Sequence, residues 1–374
     1  MNRIIYLTTA QSQDDFASNL SFWKAAPNTS NQNFHNKVIR ALALTNQVDV
    51  ISVRPINKNF EKSVLNKETK IKDNITWHYV KVKQSKIHKL LFLNNSIKNT
   101  IKVNNQDIIL VDTLNLTLLK CAKTISKQNN AKIIGICTDS PQNISFISKN
   151  YKKKLIDLGR SLEGYVCLTE KINSLYNIHK KPYQIIDGIN EEISDYGKPL
   201  EQGKYIYFGG SLMHEYGVFN LIKAFEELNL NDINLVICGH HEPADFKETI
   251  KNKTNIHYLG VKSYNEVANL EHYSLMAINP RPINLSIDEY SIPSKTLEFM
   301  MNGALTVCVT NNLLSHYSNC LIWSKTGNKQ DLKEAILKAL DSAVNREQMI
   351  NLAKEKVLSR TSFKHINKTI SKLF

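Results

Sequence analysis

Short, uninterrupted apolar runs alternate with helical patterns along most of the chain. Ten runs are long enough to predict strands, at residues 4–7, 48–53, 108–111, 133–137, 165–168, 205–208, 233–239, 256–260, 275–278 and 304–309. Because these runs are continuous rather than alternating with polar residues, they predict parallel strands that helices cover on both faces.

The apolar positions between the runs recur with helical spacing. One helix is predicted from the positions of Val218, Leu221, Ile222, Phe225 and Leu228. A similar pattern over residues 363–374 predicts a short closing helix. Strand and helix signals that alternate in this way are typical of doubly wound α/β domains.

Two series of strand and helix signals flank an aperiodic stretch at residues 182–202. We therefore expect two Rossmann-like domains facing across a cleft, which suits a chain of 374 residues. The first is expected to comprise residues 1–187, joined by a C-terminal helix at 357–374, and the second residues 188–356. Ligands of such sheets bind at the carboxyl ends of the strands.

The composition excludes several other classes of protein. With 42% apolar residues the chain is expected to fold, and no run approaches the roughly 18 apolar residues that span a bilayer. Asp14 and Asp15 precede any signal-peptide core, so a cytoplasmic protein is expected. The six cysteines form no CxxC pair and are interpreted as small buried residues, so no metal or redox site is predicted.

The positive charge is concentrated in the first half of the chain. Residues 1–190 carry 28 Lys and Arg against 13 Asp and Glu, whereas the whole chain has a formal net charge of +14. The densest basic segment, residues 81–98, mixes lysines with apolar residues. Such a segment suits an anionic membrane surface, the phosphates of a nucleic acid or an anionic substrate, but taken alone it is more often a solvated surface.

A strand-to-helix loop in the second half has glycines at both ends. Gly209 and Gly210 follow the strand at 205–208, and Gly217 precedes the helix that begins at Val218. Glycines let a ligand approach the backbone, and free N–H groups at a helix start favour phosphate. Taken alone, such a loop is more often structural.

A second helix start carries polar residues one turn apart. Ser294, Lys295 and Glu298 lie in a helix expected between Pro293 and Gly303. A lysine and a serine at a helix N-terminus suit a diphosphate, and a carboxylate one turn later can accept hydrogen bonds from both hydroxyls of a ribose.

Together these elements resemble the donor-binding domain of retaining glycosyltransferases of the GT-B fold, family 4. The resemblance rests on six segments in the family's order, YFGGS (207–211), YGVFNLIKAF (216–225), LVICG (235–239), YLG (258–260), NPR (279–281) and PSKTLEFM (293–300). The first half resembles the subgroup that opens with the loop NQNFH, here at residues 31–35.

The resemblance implies an activity and its partners. A retaining enzyme of this family moves a sugar from a nucleotide diphosphate sugar, here expected to be a UDP-sugar, to an acceptor without a bound metal. The nucleotide sugar is a substrate, so no cofactor is expected. The acceptor implied is lipid-linked or a glycan, in the synthesis of a bacterial cell-surface polysaccharide.

The resemblance also implies which residues bind the donor. These are Gly210, Ser211, Tyr216, Gly217, Gly239, Arg281, Ser294, Lys295, Thr296 and Glu298. Glu298 matches the second acid of the family's Glu-x7-Glu motif, which holds the ribose. Ser211 and Tyr216 stand where the family has Arg and Lys, so Arg281 and Lys295 are expected to meet the diphosphate charge.

Three residues are expected to be catalytic. The first acid position of the Glu-x7-Glu motif is Tyr290, with Glu289 beside it. Asp139 follows the strand at 133–137 in the first domain and is expected to contact the donor sugar or an acceptor hydroxyl, with a turn or cap role as the alternative.

The first domain is expected to take the acceptor, with Asn33 and His35 as acceptor-binding residues. Because acceptors of this family are often lipid-linked, the basic first domain is expected to bind an anionic membrane surface, peripherally on the inner face of the plasma membrane.

Three alternatives remain at this point. One is a nucleotide-sugar 2-epimerase of the same fold, and another is a non-catalytic partner of a glycosyltransferase. The third, a nucleic-acid-binding protein, is not favoured, because no RNA-stacking motif or helix-turn-helix is visible and the best-defined motif lies in the neutral half.

Overall fold

A computed structural model describes residues 2–24, 29–85, 93–144, 147–284 and 288–374. The chain forms two compact units, with Met1–Ile189 and Phe363–Phe374 in unit 1 and Asn190–Ser362 in unit 2. The expected division gave residues 357–374 to the first domain. The helix Arg346–Thr361 is continuous, however, and its last turn therefore stays with unit 2.

Unit 1 contains one large sheet and one small one. Its strands are β1 (Arg3–Thr8), β2 (Gln47–Ser52), β3 (Val64–Leu65), β4 (Glu68–Lys72), β5 (Ile75–Tyr79), β6 (Val82–Lys83), β7 (Ile108–Asp112), β8 (Lys132–Cys137), β9 (Gly164–Cys167) and β10 (Tyr183–Ile185). Strands β3 and β6 pair with each other, and the rest lie in the order β10-β9-β8-β7-β1-β2-β5-β4. Only β4 is antiparallel to its neighbour in the described part of this sheet.

Helices connect these strands. They are α1 (Gln13–Leu20), α2 (Thr29–Leu42), α3 (Leu93–Lys98), α4 (Leu116–Asn129), α5 (Lys149–Gly159) and α6 (Glu170–Tyr176). Successive residues of β1, such as Ile4 and Ile5, are both fully buried, so both faces of the sheet are covered. Helix α4 packs against β7 and β8 and lies between α3 and α5.

Unit 2 contains a six-stranded, all-parallel sheet. Its strands are β11 (Lys204–Ser211), β12 (Ile233–His240), β13 (Ile256–Tyr258), β14 (Met276–Asn279), β15 (Thr306–Val309) and β16 (Ile322–Ser324). They lie in the order β13-β12-β11-β14-β15-β16, so the order reverses between β11 and β14. All ten strands predicted from apolar runs are present, each in a parallel ladder.

Both faces of this second sheet are also buried. The helices are α7 (Val218–Leu228), α8 (Phe246–Ile250), α9 (Tyr264–His272), α10 (Ser294–Met301), α11 (Lys329–Leu340) and α12 (Arg346–Thr361). On one face α7 and α11 pack against Ile206 and Phe208 of β11. On the other face Tyr205 and Tyr207 of the same strand pack against Leu270 of α9 and Phe299 of α10.

The predicted closing helix is confirmed as α13 (Phe363–Ser371), which belongs to unit 1. Its apolar residues Ile366 and Ile370 are fully buried in one cluster with Val38 and Ile39 of α2. The chain therefore returns to unit 1 after it has completed unit 2.

Several elements lack the apolar runs from which strands were predicted. All five residues of β4 are exposed, as suits an edge strand protected by charged side chains. Strand β5 alternates buried and half-buried residues, so its apolar positions form no continuous run. Helix α1 buries only Asp15 and so lacks an apolar stripe.

All six cysteines are buried, in agreement with their interpretation as small core residues. No helix within the described ranges combines the length and the apolar content needed to cross a membrane.

We predict that Ile366→Ala lowers the free energy of unfolding of unit 1 by about 2–5 kcal/mol, because it opens a cavity between α13 and α2. Urea unfolding measures this loss. The exposed Lys368→Ala on the same helix is the control, with an expected change below about 0.5 kcal/mol. Equal effects of the two substitutions would contradict the packing of α13.

Candidate functional site

The polar residues expected to bind the donor gather at the carboxyl ends of the strands of unit 2. Gly210 and Ser211 end β11, Gly239 lies near the end of β12, and Arg281 follows β14. Strands β11 and β14 flank the point where the strand order reverses, which is the position at which open α/β sheets bind ligands.

The ends of β11 and β12 approach unusually closely. Gly210 and Gly239 are register partners, and a Cβ atom on Gly239 would lie 2.0 Å from the carbonyl oxygen of Gly210. Only glycine fits this position. Neither strand end therefore carries a side chain of its own at this position.

Gly217 connects two loops of the same edge. Its φ of +81° lies in the left-handed region, and a Cβ atom there would lie 2.3 Å from the carbonyl oxygen of Pro280. Helix α7 begins at the next residue, Val218, with no side-chain cap. Its first N–H groups therefore remain available to an anion.

Ser211 and His240 lie opposite each other at the ends of β11 and β12. The Ser211 hydroxyl is enclosed and has no hydrogen-bond partner within the described part of the chain. Partial burial lowers the pKa of His240, and the neighbouring His241 and Lys295 act in the same direction. His240 was not among the residues predicted for the site; its position directly after Gly239 is the signal that was available.

Lys295 and Glu298 form an ion pair on α10, with Nζ 2.7 Å from Oε2. Burial alone would lower the pKa of Lys295, but the carboxylates of Glu298 and Glu271 outweigh that effect and raise it above its ordinary value. Lys295 is therefore a stable cation, and both side chains remain partly exposed, at 42% for Lys295 and 24% for Glu298. Ser294, at the first position of α10, is exposed.

A buried layer lies close to this pair. Glu271 is fully buried, and its Oε2 accepts a hydrogen bond of 2.6 Å from the Asn302 side chain. Burial raises the pKa of Cys238 to about 11 and also raises the pKa of Tyr207. The Cys238 thiol therefore stays protonated near neutral pH and is not an activated nucleophile.

The structure places Thr296 differently from the expectation that it binds the donor. Its side chain is fully buried rather than directed to a ligand, and its Oγ1 accepts a hydrogen bond of 3.0 Å from Asn279 and lies 3.4 Å from Cys308 Sγ. The hydroxyl therefore ties α10 to the ends of β14 and β15, and its role is to position the helix.

Arg281 is held by two neighbours. Its Nη2 lies 3.6 Å from Asp288 Oδ1, and its guanidinium lies 5.8 Å from the centre of the Tyr216 ring. The Arg281 side chain is 24% exposed, so it remains within reach of a ligand.

Tyr290 and Glu289 were expected to replace the family's first acid. Glu289 is exposed and Tyr290 is half-buried, and both lie in the turn before α10. A small depression at the ends of β14 and β15 is lined instead by Asp288, with Arg281 and Asn279. Asp288, which stands two positions before the motif's acid, was not among the residues predicted from the sequence.

The structure also places His35 differently from the expectation that it binds the acceptor. It is fully buried in unit 1, its Nδ1 lies 2.7 Å from the Tyr6 hydroxyl, and its Nε2 lies 3.5 Å from Asp112 Oδ2. Burial lowers the pKa of His35 against the opposing effect of Asp112, so the imidazole is neutral. It anchors α2 to β1 and β7 and does not reach an acceptor.

The segment expected as a loop at residues 31–35 lies within α2. Asn33 is exposed on that helix, whereas the Gln32 side chain is turned inward and donates a hydrogen bond of 2.7 Å to the Gln11 carbonyl oxygen. Of the two residues expected to bind an acceptor, only Asn33 faces solvent.

Asp139 lies in the turn after β8. Its Oδ1 accepts a hydrogen bond of 2.7 Å from the Ser140 N–H, which is the turn geometry considered as an alternative role. Burial raises the pKa of Asp139 above its ordinary value, although Ser140 and Asn143 act in the opposite direction. A carboxyl group with a raised pKa also suits proton transfer, so both roles remain compatible with this residue.

The central part of the basic segment at residues 81–98, with Lys86 and Lys89, lies outside the described residues. The prediction that this segment contacts a membrane therefore stays a prediction.

The two units define the class of protein: each is a doubly wound α/β domain, and together they have the GT-B fold. Residues 189–356, which lie almost wholly within unit 2, match the family described as glycosyl transferases group 1. The chain matches no curated protein.

Solved structures with this fold span the whole chain. Sucrose-phosphate synthase from Thermosynechococcus elongatus has a TM-score of 0.70 at 10% identity, covering 100% of this chain and 98% of that one. An E. coli structure described as trehalose-6-phosphate bound with UDP-2-fluoro glucose has a TM-score of 0.69 at 12% identity, covering 100% of this chain and 99% of that one. Anabaena HepE in complex with UDP has a TM-score of 0.64 at 11% identity, covering 100% of this chain and 99% of that one.

We predict that Gly239→Ala lowers the free energy of unfolding by about 1–3 kcal/mol, because the new methyl group forces the ends of β11 and β12 apart. Gly210→Ala is the matched control, since its Cβ would meet only Phe208 Cζ, at an ordinary 3.7 Å. Urea unfolding compares the two variants. Equal stability of the two would contradict the close approach of the strands.

Proposed function

We propose that the protein is a retaining glycosyltransferase that moves a sugar from a UDP-sugar to a lipid-linked or glycan acceptor in the synthesis of a bacterial cell-surface polysaccharide. The observation that carries this proposal is the glycosyl transferases group 1 domain, whose carboxyl edge brings the Lys295–Glu298 pair to a glycine-lined strand end. Neighbours of the same fold bound with UDP or a UDP-sugar support the choice of nucleotide.

In this proposal the diphosphate lies over the ends of β11 and β12. Gly210 and Gly239 let it approach the main chain, the N-terminus of α7 supplies N–H groups, and Lys295 supplies a positive charge. A leaving nucleoside diphosphate gains negative charge in the transition state, so donors fixed at that place lower the barrier. This arrangement requires no resident cofactor, because the nucleotide sugar is a substrate.

Glu298 is proposed to hold the ribose. A carboxylate accepts hydrogen bonds from two hydroxyls, and Glu298 is 24% exposed, so a ligand can reach it. The ion pair between Glu298 and Lys295 places a carboxylate oxygen and an ammonium group side by side, as the adjoining ribose and diphosphate of one nucleotide require. Retention follows from the resemblance to family 4, whose enzymes are thought to react on one face of the sugar without a covalent intermediate.

We predict that UDP raises the melting temperature of the wild-type protein more than GDP, ADP or CMP does. A ligand at about a hundred times its dissociation constant adds roughly 2.7 kcal/mol to the free energy of unfolding. Glu298→Gln and Lys295→Ala should each weaken UDP binding by about 10- to 100-fold in calorimetry, since each loses a hydrogen bond to a charged group.

The exposed Lys338→Ala in α11 is the control for this experiment and should bind UDP like the wild type. The absence of a nucleotide-selective shift in the wild-type protein would contradict the proposed function. Unchanged UDP binding in both site variants would contradict the site.

We further propose that unit 1 holds the enzyme on an anionic membrane surface through a lysine face on α4 and α5. This face consists of Lys120, Lys123, Lys127, Lys149, Lys152, Lys153 and Lys154. None of the seven forms an ion pair with an acid in the described ranges of the chain. Helices α4 and α5 pack side by side, and five of these lysines are exposed on them: Lys120, Lys127, Lys149, Lys153 and Lys154.

The position of two of these lysines favours a functional explanation. Lys149 and Lys152 lie in the first turn of α5, where the helix dipole disfavours cations by about 0.3–1 kcal/mol each. Their presence there does not stabilise the helix. Near an anionic membrane, however, each lysine contributes about 1 kcal/mol to binding.

We predict that replacing Lys153 and Lys154 with Glu reduces sedimentation with phosphatidylglycerol-containing vesicles at least tenfold, because four units of charge change on one face. Replacing Lys223 and Lys338 of unit 2 with Glu alters the net charge equally and is the control. Equal binding by the two double variants would contradict the lysine face.

A further inference from the structure

A cavity of about 290 Å³ opens to solvent in unit 1, beside the small sheet that β3 and β6 form. Protein pockets that hold small ligands begin at roughly 300 Å³, so the cavity is large enough for a small molecule. Apart from Val80, its described lining is polar and contains no acid. The polar lining residues are Lys67, Lys81, Asn95, Ser96, Asn99 and Thr100.

The small sheet brings the two lysines of the cavity together. Strands β3 and β6 are antiparallel, with Leu65 opposite Val82. Lys67 follows two residues after Leu65, and Lys81 directly precedes Val82. Both lysines therefore lie at the end of the strand pair where β3 ends and β6 begins.

The charges of these lysines are not neutralised by their neighbours. Neither Lys67 nor Lys81 has a hydrogen bond or ion pair with any residue in the described ranges, and both are exposed. Glu68 follows Lys67 in the sequence, but its Oε1 lies 3.3 Å from Lys70 Nζ and its Oε2 lies 3.8 Å from Arg54 Nη1. Glu68 thus pairs with other cations, and the lining of the cavity keeps a net positive charge.

Helix α3 and the turn after it supply the neutral part of the lining. The Asn95 carbonyl oxygen accepts a hydrogen bond of 3.0 Å from the Asn99 N–H. The Ser96 carbonyl oxygen accepts one of 2.6 Å from Thr100 Oγ1. Because these carbonyl groups are occupied, this wall offers a ligand mainly the two side-chain amides and the Ser96 hydroxyl, which both donate and accept hydrogen bonds.

The two parts of the lining suit two parts of one ligand. A lysine ammonium is a compact charge that binds phosphate oxygens, whereas amides and a hydroxyl suit the hydroxyl groups of a sugar or of glycerol. A nucleic acid is not favoured, because the described lining contains no aromatic ring on which a base could stack.

We propose that this cavity binds a phosphate ester of a polyol, with Lys67 and Lys81 on the phosphate and Asn95 and Asn99 on the hydroxyl groups. A soluble sugar phosphate and the glycerol phosphate headgroup of a lipid share this chemistry. The inference does not depend on the proposed function, because every lining residue belongs to unit 1. It gives Lys81, the first residue of the basic segment, a specific ligand.

Calorimetry on the full chain tests the soluble source of the ligand. The probes are glycerol 3-phosphate and glucose 6-phosphate, with inorganic phosphate and glucose as partial ligands. We expect the wild type to bind at least one of the two esters more tightly than inorganic phosphate, and not to bind glucose. An ester engages both parts of the lining, whereas each partial ligand engages only one.

Substitutions separate the two parts of the lining. Lys67→Ala and Lys81→Ala should each weaken binding of the ester by about tenfold or more, because a hydrogen bond to a charged group is lost. Asn99→Ala should weaken binding of the ester by about 2- to 10-fold and leave the affinity for inorganic phosphate unchanged. Lys83→Ala, an exposed lysine of β6 outside the lining, is the matched control and should bind like the wild type.

Vesicles test the lipid source of the ligand. Phosphatidylglycerol carries the polyol phosphate, whereas phosphatidylserine gives a vesicle the same charge without the free glycerol hydroxyls. If the ligand is a headgroup, the wild type sediments more with phosphatidylglycerol vesicles than with phosphatidylserine vesicles, and Lys81→Ala removes this difference while Lys83→Ala keeps it. Equal sedimentation, together with binding of a soluble ester, identifies the soluble source.

Three results overturn the inference. The first is that the wild type binds neither ester and does not prefer phosphatidylglycerol. The second is that Lys83→Ala has the same effect as Lys67→Ala and Lys81→Ala, and the third is that all three variants bind like the wild type. UDP binding of the wild type reports separately on the proposed function, and unchanged UDP affinity in Lys67→Ala and Lys81→Ala shows that these variants are folded.

Discussion

A parallel sheet that is buried on both faces leaves the ends of its strands as the place for chemistry. In unit 2 the side chains of β11 alternate between two apolar clusters, so neither face of that strand meets water. The candidate site residues of unit 2 therefore lie where β11, β12 and β14 end. The GT-B fold and the position of the candidate site both follow from this constraint.

Much of the fold follows directly from the sequence, because strands buried on both faces need continuous apolar runs. These runs located all ten of the predicted strands in the two sheets. The same criterion missed β4, whose charged and exposed residues protect a sheet edge, and β5, whose polar residues alternate with apolar ones. Whether an edge or half-buried segment forms a strand depends on the neighbouring strands with which it pairs more than on its own composition.

Candidate site residues could be predicted from the sequence where steric or electrostatic requirements allow few explanations for a residue type at its position. Gly239 and the Lys295–Glu298 pair belong to this class. Thr296 and His35 do not, because a hydroxyl or an imidazole serves equally well inside a core, and only the fold shows which way it faces. Asp288 escaped the motif because the loop before α10, and not the spacing along the chain, decides which acid reaches the depression.

The return of α13 to unit 1 has a consequence for how the chain folds. Ile366 and Ile370 complete a core whose other members, such as Val38 and Ile39, come from the first part of the chain. All of unit 2 is synthesised between these parts, so a growing chain presents unit 1 with an uncovered apolar face until α13 emerges. During that interval the α2 side of unit 1 is a surface for chaperones or for aggregation, and the last stage of its folding closes one very long loop.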